Sequence, residues 1–230
     1  MNRFYQLLAR NKGLGEFRAA VSGDSATIYL YDAIVDSPAD AEWFGGVDPQ
    51  TFIGELKKIT AKTIHLRVNS PGGSVFAARA IEQALREHPA EIIAHVDGYA
   101  ASAASFLIMA ADRIEMAQGA FLMIHKAWTI AYGNADDLTS TADLLAKIDG
   151  TLIKTYADRS GAEAATVNQW MADETWFTAD EALAAKLVDA IAEDAPQARA
   201  WDFSAYEHAP QLAQEDTERR THRDRAAALL

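Results

Sequence analysis

The chain has 230 residues, half of them hydrophobic, with 21 basic and 33 acidic side chains and a formal charge of −12. That length supports one substantial core or one core with an appendage. The acidic balance, with no basic cluster, argues against a nucleic-acid surface, and the absence of cysteine rules out disulfides, thiolate metal ligands and a cysteine nucleophile.

The opening MNRFYQLLARNKG carries positive charge but lacks the apolar stretch of a secretory signal. No apolar run approaches the roughly 18–20 residues of a membrane span. A soluble, cytoplasmic protein is expected, with residues 1–25 as an N-terminal segment. Ala26–Val35 (ATIYLYDAIV) is predicted to be a strand and Gln50–Thr60 a helix. Thr63–Asn69 (TIHLRVN) is another strand, and Ser74–Glu87 a helix with Ile81 and Leu85 on one face. Glu91–Asp97 (EIIAHVD) alternates like a buried strand, and after Ser102 the apolar positions Phe106, Leu107, Met109 and Ala110 predict a packed helix. A short strand pair is expected around Arg113–Met116 and Phe121–Ile124. A long helix follows over Asp136–Arg159 and a shorter one over Thr178–Lys186. Strands interleaved with helices argue an α/β domain with a largely parallel sheet, assigned to residues 26–195. The composition changes after about Glu193, where residues 196–230 hold five Arg and six Asp or Glu but few branched aliphatics. This stretch reads as a charged C-terminal extension or a marginal helix outside the core. The sequence shows no internal repeat.

Chemistry concentrates at HVDGYAASAASFLIMAADRI, residues 95–114, where Ser102 and Ser105 stand at a strand-to-helix junction. A serine there can cap the helix. It can equally be a nucleophile, which needs a base, an orienting acid and donors for an oxyanion. His125, in FLMIHKAW, follows an apolar strand and precedes a polar stretch, as a residue at the rim of a cleft would. His65 and His95 lie inside strand patterns, His88 ends a helix before Pro89, and His208 and His222 fall in the extension. The segment NSPGGSV, Asn69–Val75, ends a strand in two glycines and begins a helix. Gly72 and Gly73 allow positive φ and bring bare N–H groups against a ligand. Neither G-x-G-x-x-G nor a P-loop is present, and Ser102 does not sit in G-x-S-x-G.

NSPGG, then GYAAS with an apolar helix, then MIH, in that order, resembles the Clp-type serine peptidases, whose proteolytic subunits assemble into barrel-shaped chambers. IHKAWTIAYGNADDL resembles that family's histidine strand and the start of its long handle helix. DETWFTADEALAAKLVDAI resembles the segment with its catalytic acid and closing helix. The resemblance covers about residues 26–192 and implies an α/β spiral of β-β-α repeats, as in the Clp and crotonase folds, with a protruding handle helix. It assigns the nucleophile to Ser102, the base to His125, and the oxyanion N–H groups to Gly73 and Ala103. Ser105 receives no role. The acid falls on Glu174, where the family usually has Asp, with Asp173 as the alternative after a one-residue slip. No cofactor and no metal are implied.

The partners implied are further copies of the chain, in a ring or stacked rings, and polypeptide substrates. Residues 1–25 do not resemble the segment that meets a Clp-type ATPase, so that partnership is the alternative expectation. EWFGG at Glu42–Gly46 and the charged extension resemble Clp-like proteases of tailed phages and prophages, which mature the head by cutting scaffold and capsid proteins. Two rivals come from the same architecture. A Ser–Lys dyad would use Lys126, which points away from His125 on a strand, and a crotonase-type enzyme would not need Ser102. An inactive scaffold or assembly protein is the rival of another class.

Overall fold

Alternation along Ser25–Tyr31 (β2) and Thr63–Ser70 (β3) puts Ala26, Ile28 and Leu30 beside Ile64, Leu66 and Val68 on one buried sheet face. Burying each of the larger aliphatic side chains contributes about 1.5–3 kcal/mol. The computed structural model describes residues 3–192 and 201–210. Before β2 come a helix, Arg3–Asn11 (α1), and a strand, Glu16–Ser22 (β1). β1 pairs antiparallel with β2 from Glu16 opposite Tyr31 to Ser22 opposite Ser25, so part of the expected N-terminal segment belongs to the sheet. Two short helices, Pro38–Phe44 (α2) and Pro49–Leu56 (α3), follow β2, each with proline in its first turn and an Asp or Ser cap. Helix Val75–Glu87 (α4), capped by Ser74, joins β3 to Glu91–Ala101 (β4).

β4 is the pivot. Its first half pairs in parallel with Arg113–Ala117 (β5), Ile93 opposite Arg113, and its last residues pair in parallel with Phe121–Ile124 (β6), Ala101 opposite Met123. The expected strand pair is therefore corrected: β5 and β6 both bond to β4, at different heights, and not to each other. Between them and the C-terminal part lie helices Ala135–Ser160 (α6) and Ala164–Ala172 (α7). Thr175–Thr178 (β7) then pairs antiparallel with β6, and after helix Ala179–Ala184 (α8) the strand Ala190–Ala192 (β8) pairs in parallel with β5. The resulting order is β1-β2-β3-β4-β5-β8 with β6 and β7 branching from β4, an α/β sheet as the sequence predicts.

The long helix divides in two. Residues 135–140 are exposed throughout, while Leu152, Tyr156 and Ser160 are buried against the sheet layer. Arg79 of α4 anchors this base, with its guanidinium over the Phe106 ring and its nitrogens donating to Thr155 and Thr151 at 3.1 and 3.3 Å. The projecting end starts from Asn134, whose side chain accepts from Asp136 and Asp137 in a reciprocal capping box. Residues 125–134 form no regular strand, and Tyr132–Asn134 serve as the turn into α6. Of the expected extension, residues 201–210 are described, and they pack onto the body. Residues 196–200 and 211–230 of it, like His222, lie outside the described residues. Among the described residues no helix is long and apolar enough to cross a membrane.

Candidate active site

The β4–β6 register builds the first contact. Ala101 stands opposite Met123, and Ser102 N–H donates to the Met123 carbonyl at 2.9 Å, so both chains leave the sheet side by side. Ser102 Oγ then lies 2.6 Å from His125 Nε2. The serine backbone has φ 53° and ψ −122°, in a region that L residues rarely occupy. Its carbonyl is held on the far side by Ser105, whose N–H and hydroxyl donate to it at 2.9 and 2.7 Å. Ser105 is buried and its hydroxyl also meets the Tyr156 hydroxyl of α6 at 2.7 Å. Burial raises the Tyr156 phenol above its ordinary value, so it stays a neutral hydrogen-bonding group. Ser105 thus has a structural position that the sequence did not suggest: it ties the long helix to the Ser102 backbone.

Gly72 and Gly73 sit against this turn with φ of 88° and 147°. A Cβ on Gly72 would lie 2.7 Å from Ser102 Cβ and 3.0 Å from Ala103 N. A Cβ on Gly73 would run into the Ile34 carbonyl, whose oxygen accepts from Ser74 N–H. Glycine is required at both positions by the close approach of bare backbone. Gly73 and Ala103 line one cavity with Ser102 and His125.

Across the antiparallel β6–β7 ladder Ile124 faces Thr175, so the next residues outward are His125 and Glu174. Glu174 has φ 48°, the left-handed conformation usually left to glycine, at the turn out of α7. Its carboxylate accepts from the backbone N–H groups of Glu207 and His208 at 3.1 and 2.7 Å, and from the Trp176 indole at 3.4 Å. Asp173 is exposed, and its carboxylate accepts from Gln169 at 2.8 and 2.9 Å. Lys126 is exposed while His125 is half-buried, consistent with their opposite orientation on the chain.

The cavity holds about 250 Å³ and is mainly apolar, with Val75, Phe106, Leu145, Ile148 and Leu152 among its walls. No sequence pattern pointed to this chamber, because its walls come from α4, α5 (Ala103–Leu107) and α6. Tyr206 also lines it. The available signal was three aromatic residues, Trp201, Phe203 and Tyr206, within a charged tail.

A largely parallel sheet that delivers a strained serine onto a histidine nitrogen beside a glycine turn defines an α/β protein of the serine-hydrolase class. A family model described as Clp protease matches residues 51–195, more than half of the chain. The chain belongs to the Clp protease family, a family of serine-type peptidases. Similar proteins include the ATP-dependent Clp protease proteolytic subunit 3 of Streptomyces coelicolor, 31% identical over 138 residues, covering 59% of this chain and 64% of that protein. Subunit 1 of Leifsonia xyli subsp. xyli is 31% identical over 136 residues, 58% of this chain and 69% of its own length. Subunit 1 of Mycobacterium leprae is 32% identical over 132 residues, 56% and 66% respectively. The chain spans about two thirds of the length of these relatives.

Proposed function

We propose that the chain is a serine endopeptidase. Ser102 is the nucleophile, His125 the general base and then acid, Glu174 the orienting carboxylate, and the N–H groups of Gly73 and Ala103 the oxyanion donors. The observation that carries this reading is the 2.6 Å contact between Ser102 Oγ and His125 Nε2 at a strained strand-to-helix turn. Ser102 Oγ adds to a peptide carbonyl as His125 takes its proton. The tetrahedral oxyanion is held by backbone N–H groups, and His125 returns the proton to the departing amine. Water then adds to the acyl-enzyme by the same route and regenerates Ser102. Glu174 favours the tautomer with Nε2 free, and the β6–β7 register supports it over Asp173. The apolar cavity beside Ser102 suits a medium-sized apolar side chain next to the scissile bond.

Self-association is part of the proposal, through the exposed end of α6 with Leu138 and Leu144 on its surface. Assembly into a ring, or stacked rings, would enclose the cavity mouths. For biological role the reading is head maturation in a tailed phage or prophage, acting on scaffold and capsid polypeptides in the cytoplasm. The relatives carry the name ATP-dependent Clp protease proteolytic subunit, which supports the second role, a proteolytic subunit working with a Clp-type ATPase. A serine-directed fluorophosphonate probe tests the chemistry. Labelling of the native chain and not of Ser102→Ala is expected, and equal labelling of both would overturn the assignment. Incubation with candidate scaffold protein, with and without a Clp ATPase and ATP, separates the two roles.

A further inference from the structure

Residues 201–208 (WDFSAYEH) lie across the site. Trp201, Phe203, Ala205 and Tyr206 are buried in a cluster of their own with Leu7, Tyr99 and Met123, and Trp176 packs against it. The Phe203 ring centroid is 4.4 Å from that of Tyr99 and 5.2 Å from that of Trp176. Polar bonds fix the register of the segment. The Trp201 indole donates to the Asn69 carbonyl at 3.1 Å, and the Asn11 side chain brackets Asp202, donating to its carbonyl at 3.0 Å and accepting its N–H at 2.7 Å. At the other end His208 Nδ1 lies 2.8 Å from the Asp173 carbonyl oxygen.

Between these anchors the segment touches His125 and Glu174 and borders the cavity that Ser102 opens into. The Tyr206 phenol donates to the Pro71 carbonyl at 2.6 Å, and Tyr206 lines the same cavity as Ser102. Its ring stands edge-on to His125, with centroids 5.5 Å apart. The Glu174 carboxylate takes the N–H groups of Glu207 and His208. We infer that the surface running from Asn69 and Pro71 to Glu174 is a docking groove for an aromatic peptide segment, occupied by the chain's own residues 201–208, and that this occupancy holds the active site closed.

Contacts with the base and the acid give the reason. The Tyr206 ring stands edge-on to the His125 imidazole and restricts its movement toward a substrate. The carboxylate, stabilised by two charge-assisted bonds from the segment, exerts less pull on the imidazole. Tyr206 also forms part of the wall of the cavity that a substrate must enter. The segment is tethered, so its effective concentration is high and a free peptide must be supplied at about millimolar levels to compete.

This inference rests on Ser102 being the nucleophile, and the experiment separates the two. Fluorophosphonate labelling rates are compared for the full chain, Trp201→Ala/Tyr206→Ala, Tyr206→Phe and Ser102→Ala, with far-UV circular dichroism as the folding check. The double variant is expected to label at least tenfold faster than the native chain, and a synthetic peptide of sequence WDFSAYEH is expected to slow it again. Should the double variant fail to fold, Tyr206→Phe decides. It keeps the ring but removes the bond to Pro71 that anchors the segment, and it is expected to label several-fold faster. Equal or slower labelling of the folded variants overturns the closed-site inference while leaving the nucleophile intact. No labelling of any protein overturns both.

Discussion

Ile124 and Thr175 are register partners across β6 and β7, and that pairing sets Glu174, with Asp173 one step beyond, level with His125. In a chain that also carries Tyr206→Ala, so that the C-terminal segment does not intrude, Glu174→Gln is expected to lower kcat on a peptide substrate by 10²-fold or more, an order-of-magnitude expectation for an orienting carboxylate. Asp173→Asn, at an exposed site, is expected to stay within about twofold. Steady-state kinetics checks this, and the reverse ranking would place the acid on Asp173.

Ser105 and Tyr156 form a buried hydroxyl pair whose two members are not equivalent. Ser105 donates to the Ser102 carbonyl, so Tyr156 donates to Ser105. Ser105→Ala strands a fully buried phenol and is expected to cost about 1–3 kcal/mol of stability. Tyr156→Phe leaves the Ser105 bond to Ser102 intact and is expected to cost about 1 kcal/mol. Urea denaturation of both variants gives the comparison, and a larger loss in Tyr156→Phe would count against this order of donation.

Gly72→Ala combines a positive φ with a Cβ 2.5 Å from the Ala101 carbonyl oxygen and 2.7 Å from Ser102 Cβ. The neighbours on both sides are backbone or backbone-bound atoms, so the turn must shift. Probe labelling of Ser102 is expected to fall at least tenfold with circular dichroism near native. Unchanged labelling would mean that the glycine turn does not set the serine geometry.

On the open face of the sheet, His95 is held neutral. Burial lowers its pKa from 6.5 to about 4, helped by the Arg67 and Arg113 guanidiniums and by His65, whose Nδ1 is 2.9 Å away, and opposed by Glu115 at 3.4 Å. The folded chain therefore binds a proton less readily than the unfolded one. The stabilisation is full above about pH 6.5 and is lost as pH falls toward 4. His95→Gln is expected to flatten this limb by roughly 2 kcal/mol. Denaturation midpoints of both proteins between pH 7 and pH 4 provide the check, and parallel curves would remove His95 as the cause.

Leu138 projects from the exposed end of α6 at 46% exposure, whereas Leu145 is half-buried and lines the cavity. Leu138→Asp therefore tests assembly without altering the substrate chamber. It is expected to reduce the hydrodynamic size to that of a smaller species with the helical signal unchanged. Retention of native size at equal concentration would count against this helix as the interface.

Much of the framework was legible locally. Period-two alternation marked β2, β3 and β4, the three- and four-residue spacing marked α4 and α6, and ordered motifs at Gly72–Gly73, Ser102 and His125 marked the candidate site. These signals survive in a linear chain because each depends on residues a few positions apart. β1, β7 and β8 escaped notice. β7 and β8 are four and three residues long, and β1 is mostly exposed, so none presents a clean alternation to read.

What the sequence determined by itself is the set of chemical groups and the elements that carry them: an acidic α/β chain with a serine and a histidine at strand ends. What the tertiary structure decided is which distant groups share a neighbourhood. The β4–β6 register put Ser102 on His125, the β6–β7 register chose the carboxylate level with the histidine, and long-range packing drew Tyr206 to Pro71, 135 positions away in the chain. A charged tail with three aromatics reads as lying outside the core because local patterning counts its charges. Burial counts instead the apolar surface waiting on the body, at Leu7, Tyr99, Met123 and Trp176. That surface exists only after the sheet has formed, so its partner could be recognised only in three dimensions.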